Sequence, residues 1–100
     1  MTDRREMKPY IVCTGENGRA VIYGYCEADP IAGQPIIVHK ARMVLYWSSE
    51  CGGLLGLAAR GPQTKTRLTH AVDRTGLSAV TEWVDVSASA AQGMDQWPAA

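Results

Sequence analysis

The stretch Ile36–Gly61, IIVHKARMVLYWSSECGGLLGLAARG, constrains the fold of this chain more than any other. Its first half is dense in β-branched and aromatic residues (Ile36, Ile37, Val38, Val44, Tyr46, Trp47), which suit a pleated, half-buried surface. From Ala41 the alternation puts Ala41, Met43, Leu45 and Trp47 on one face, and Lys40, Arg42, Val44 and Tyr46 on the other. Leu54, Leu57 and Ala58 then follow at helical spacing, and Gly61-Pro62 is a stop signal. The stretch therefore reads as a long strand, a sharp turn and a short helix, with Ser48 or Ser49 as the helix cap. That helix has one apolar stripe to offer, so Leu57 and Trp47 are expected in one core.

The flanks add strands to this centre. Residues 1–8 are polar and aperiodic, and are expected to form a disordered N-terminus to a single domain over residues 9–100. A strand at Tyr10–Thr14 and another at Arg19–Glu27 are joined by Gly15-Glu16-Asn17-Gly18, a strong hairpin signal. Gly24 inside the second strand marks a bend or bulge. After the helix come a short strand around Arg67–Val72, a turn at Asp73-Arg74-Thr75-Gly76 and a last strand at Leu77–Val86. The Ala-rich tail Ser87–Trp97 reads as a short helix capped by Ser87 or Ser89, with Met94 and Trp97 packing back. The expected fold is α+β: a curved, mostly antiparallel five-stranded sheet or partly open small barrel, one helix after strand three and a short C-terminal helix.

Charge and cysteine usage exclude several functions. Ten basic and ten acidic residues cancel over 100 residues and are dispersed, which argues against general nucleic-acid binding. No apolar run reaches membrane-spanning length and no signal peptide opens the chain, so a cytosolic protein is expected. Cys13, Cys26 and Cys51 form no paired motif and read as reduced thiols. Cys51 could be activated by His39 or His70, but nothing local orients such a base, and a small residue filling a tight turn is the simpler account. No metal-ligand spacing appears, and no metal or cofactor is expected.

The aromatic residues point to binding. Tyr23 and Tyr25 share one face of the second strand, and Arg42 and Tyr46 share one face of the third. Pairing those strands in register would flank a cation with rings, a surface able to stack on a planar group or hold an anion. The second candidate is the Gly-rich helix start, Ser49, Gly52 and Gly53, whose bare N–H groups could meet an anion. Close packing of a short helix on the sheet is the simpler account of those glycines, because no Lys or strand-linked Gly-rich fingerprint accompanies them.

Ala41-Arg42, the pair Tyr46-Trp47, the small-residue helix through Leu57-Ala58 to Gly61, and the strand carrying Thr81-Glu82 together resemble a family of small bacteriophage and prophage proteins classed as a domain of unknown function. The resemblance runs from Val38 to Trp97, and Cys51-Gly52-Gly53 departs from its pattern. It implies a phage setting in the host cytoplasm, not an activity. The expected function is a non-catalytic accessory binding protein, an anti-defence or host-takeover inhibitor acting on a host or defence-system protein or on a small nucleotide. A small structural or assembly component of the virion is the alternative, and self-association is left open.

Overall fold

The computed structural model describes residues 7–15, 20–47 and 52–100. Eight elements follow in order: β1 (Lys8–Thr14), β2 (Ala20–Cys26), β3 (Ile36–Tyr46), α1 (Gly53–Arg60), β4 (Arg67–Leu68), β5 (Val72–Leu77), β6 (Val80–Asp85) and α2 (Ala88–Gln96). They make a small α+β domain with one six-stranded, mostly antiparallel open sheet in the order β4-β3-β2-β1-β6. Because β2 occupies one edge of β3, both β5 and β4 lie along the other, β5 beside Ile36–Ala41 and β4 beside Val44–Tyr46. Among the described residues no helix is long and apolar enough to cross a membrane.

The strand count is six rather than five because the turn falls elsewhere. Asp73-Arg74-Thr75-Gly76 carries turn-forming residues but lies inside β5, in register with β3 from Ile36↔Leu77 to Ala41↔Val72. A neighbour offering a ladder of backbone partners outweighs weak local preference. The chain instead reverses at Ser78–Ala79, and the short strand expected from Arg67 stops at Leu68. The β1–β2 hairpin forms as expected, from Lys8↔Cys26 to Thr14↔Ala20, so Lys8 belongs to the sheet rather than to a loose terminus. The hairpin tip, residues 16–19, and residues 1–6 lie outside the described residues.

A bulge in β3 decides which side chains face inward. Two residues of β2, Tyr23 and Tyr25, span three steps of β3, from Arg42 to His39, and Lys40 takes φ 52° to absorb the extra residue. Gly24 makes room for it: a Cβ there would lie 2.4 Å from Val38 Cγ1 and 2.7 Å from the His39 carbonyl oxygen. Val38 and Ala41, three apart, therefore enter the same core. A second irregularity between Val44 and Tyr46 brings Trp47 back to the side of Val44. The expected inward face of Ala41, Met43, Leu45 and Trp47 is thus broken. Met43 and Leu45 are exposed, while Arg42 and Val44 are buried.

Two cores result, one on each side of the sheet. The helices cover the first, where Leu57 and Ala58 of α1 and Ala90, Ala91 and Met94 of α2 meet Ile11, Tyr23 and Val44, with Trp47 packed against them. Leu57 and Trp47 do share a core, although on the sheet face opposite to the one the alternation suggested. The second core is built from Tyr10, Val12, Ile22, Val38, Ala41 and Val80 without a helix. Its cover is the sheet itself. Strands β5 and β6 lie at opposite ends of the strand order yet are joined by two residues, so the sheet must curl. The loop before β3 holds the curl through Gly33 N–H to Val80 O (2.7 Å) and Val80 N–H to Gln34 O (3.0 Å).

Candidate functional site

The structure brings Arg42, Tyr23 and Tyr25 together, and places them beneath α2. Tyr23 and Arg42 are direct cross-strand partners, as the pairing in register required. Tyr23 is fully buried and Arg42 is 5% exposed. The Arg42 guanidinium donates from Nη1 to the Met94 carbonyl (2.5 Å) and from Nε to the Thr69 carbonyl (2.7 Å). Tyr23 donates to Asp95 Oδ1 (2.8 Å), with the Ala91 carbonyl 3.1 Å away, and Tyr25 donates to Asp95 Oδ2 (2.5 Å). Burial first, then hydrogen bonds to Tyr25 and Asp95, holds the Tyr23 phenol well above the usual tyrosine range, and burial followed by the Asp95 bond raises that of Tyr25. The cluster fastens the last turn of α2 to the sheet.

The other sequence candidates lie apart from it. Tyr46 is half-exposed at the far end of β3, beside Arg67. Gly52 is the N-cap of α1 in a left-handed conformation, with no side-chain cap, and Gly53 opens the helix. Ser48, Ser49 and Cys51 lie outside the described residues. Ser87, by contrast, caps α2 as expected, accepting from the Ala90 N–H at 3.1 Å.

Beyond the reach of α2 the same sheet opens into a cleft of about 950 Å³ between the β3–β5 wing and the loop that follows β2. Ile37 and His39 of β3 stand directly opposite Gly76 and Arg74 of β5, which puts all four on one face of the wing. Glu27, Asp29 and Ile31 approach from the loop. Ile37 is 44% exposed and Ile31 is 64% exposed. His39 Nε2 lies 3.9 Å from Glu27 Oε2. Asp29 is held in place from below by the hydroxyl of buried Tyr10, whose pKa is pushed up, chiefly by burial and then by that hydrogen bond. The arrangement offers aliphatic area bordered by both signs of charge.

Sequence reasoning missed this cleft because its parts are scattered. Arg74 and Gly76 were hidden in an apparent turn. Ile31 carried the one usable signal: a lone large aliphatic between Pro30 and Gly33, in a loop with no periodicity to require it.

Fold and site together define a small α+β domain with a curled antiparallel sheet, helices on one face and an open cleft past their end. The chain belongs to the family described as Domain of unknown function (DUF6948), whose model matches residues 7–94. That span includes the N-terminal hairpin, which the resemblance drawn from Val38 onward left out, and ends inside α2. No curated protein and no solved structure matches the chain.

Proposed function

We propose that this protein is a non-catalytic binding protein and that the cleft beside the β3–β5 wing is its contact surface for another protein. The observation that carries this reading is the exposure of Ile31 and Ile37 in a concave surface bordered by Glu27, Asp29 and Arg74. Aliphatic area held in water gains free energy when a partner covers it, and bordering charges give the contact its orientation. A small nucleotide fits less well. Base stacking calls for an aromatic platform. The cleft lining holds no Tyr or Trp, its one ring is that of His39 beside Glu27, and Tyr23 and Tyr25 are committed to α2.

In this reading the curled sheet is a partly open small barrel, and the cleft is its mouth. The setting belongs to the same proposal and is supported by the sequence resemblance: a phage-encoded accessory factor acting in the host cytoplasm on a host or defence-system protein. The test compares wild type with the double variant Ile31→Asp, Ile37→Asp, both checked for folding by circular dichroism, as baits in host lysate. A protein enriched on wild type and lost on the variant supports the cleft. One retained equally by both moves the contact elsewhere on the molecule.

A further inference from the structure

Strand β5 is joined to the sheet on one side only. Its residues pair with β3, and no other described strand pairs with its outer edge. Such an edge presents a row of backbone donors and acceptors to an incoming chain. On the cleft face of β5 two features stand two residues apart. Arg74 is exposed, and its guanidinium has no hydrogen-bond or ion-pair partner among the described residues. Gly76 leaves an open lane, where a Cβ would meet only Ile37 Cδ1, at 3.4 Å.

We propose that the free edge of β5 takes an extended segment of the partner protein as an additional antiparallel strand, with a large apolar side chain laid across Gly76 onto Ile37 and an acidic side chain opposite Arg74. The inference rests on the reading of the cleft as the contact surface and names the chemistry of what it binds. Main-chain bonds along the edge supply affinity without sequence preference, and the side chains facing the cleft supply the choice. A glycine on an edge strand is well covered by a large side chain from the neighbouring strand. An acid directly across from Arg74 completes the charge pair. In antiparallel order the residue facing Gly76 precedes the one facing Arg74 by two, so the preferred segment reads large apolar, any residue, Asp or Glu.

A second copy of β5 does not meet this requirement. Pairing about a two-fold axis keeps hydrogen-bonded and non-hydrogen-bonded positions equivalent between the copies, so opposed residues always have numbers with an even sum. Asp73 therefore never falls opposite Arg74 of another copy. The acid must come from a segment other than β5.

The probe is the peptide acetyl-Thr-Val-Trp-Thr-Glu-Val-Lys-amide, titrated into the full chain and followed by amide NMR and by Trp-independent calorimetry. Two comparators are used: the same peptide with Trp and Glu exchanged, and the same peptide N-methylated on the backbone nitrogens that face β5. The expected result is shifted, slowly exchanging amides along Val72–Leu77, binding at least about fivefold tighter than the exchanged peptide, and loss with the N-methylated one. Arg74→Glu should abolish the preference, and replacing the peptide Glu by Lys should restore it. Equal binding by the N-methylated peptide, or shifts confined to Ile31, Ile37 and Leu77, overturns strand addition while leaving the cleft as a contact surface. No binding at millimolar peptide, or concentration-dependent protection of β5 in the free protein, also overturns it. The lysate comparison with the Ile31→Asp, Ile37→Asp variant then judges the wider reading by itself.

Discussion

Arg42 carries a full charge into a site that is 5% exposed, and its guanidinium donates to two backbone carbonyls. One of them, Met94 O, belongs to the last turn of α2, where the helix dipole favours a cation and where it otherwise accepts the Trp97 N–H at a long 3.4 Å. A strand residue thus serves as the C-terminal cap of a helix far along the chain. Arg42→Met should keep the packing volume yet take a charged donor from the Thr69 carbonyl and leave the Met94 carbonyl with the Trp97 N–H alone, costing about 1–3 kcal/mol in urea unfolding. An unchanged midpoint would show that water replaces the guanidinium without loss. Cys26 tests burial of a different kind. Burial pushes its thiol from 9.0 up to about 11, so the folded chain holds that proton more tightly than the unfolded one. The resulting stabilisation is complete below pH 9 and is lost as pH rises through about 11. Unfolding measured across that window should fall less steeply for Cys26→Ala than for wild type. Identical slopes would assign the alkaline loss to the tyrosines, whose pKa values are also raised.

Among the elements, those with a strong local pattern were legible in the sequence and those defined by a neighbour were not. Leu54, Leu57 and Ala58 announced α1, and Ser87 announced the start of α2. The register of β1 against β2 followed from the expected hairpin. In β5, by contrast, Val72, Asp73, Arg74, Thr75, Gly76 and Leu77 show no alternation of apolar and polar side chains. The strand exists because β3 offers it a ladder. The face of β3 failed for a related reason. Period-two reasoning assumes no inserted residue, and the bulge at Lys40 opposite Gly24 shifts the side chains that follow. Gly24 itself was a readable warning, but a glycine does not say which neighbouring strand will carry the extra residue. The candidate site suffered from the same gap. Arg42 and Tyr23 were correctly brought to one face, while the helix that covers that face comes from the end of the chain. Nothing in either strand announces it.

At the scale of the whole molecule, one sheet separates two cores that share its strands. Ile11 and Val12, neighbours in β1, point into different cores, as do Ile22 and Tyr23 in β2. Neither core can empty without disturbing the backbone that supports the other, so the domain should unfold as one unit. The tryptophans report on the two sides separately. Trp97 packs against the helical core, with its Nε1–H donated to the Thr66 carbonyl at 2.8 Å. Trp83 meets the ring of Tyr10 on the other side, with centroids 5.6 Å apart and planes at 79°. Two variants, each keeping only one of these tryptophans with the rest replaced by Phe, should give the same urea midpoint as each other when each fluorescence trace is set against circular dichroism of the same variant. A Trp83 transition that precedes loss of secondary structure would mean that the curled side opens first. The curl is held at its closing point by the bonds between Val80 and the loop at Gly33 and Gln34. That loop also carries Ile31 into the cleft, so early opening there would make the contact surface a locally mobile one rather than a fixed face of the fold.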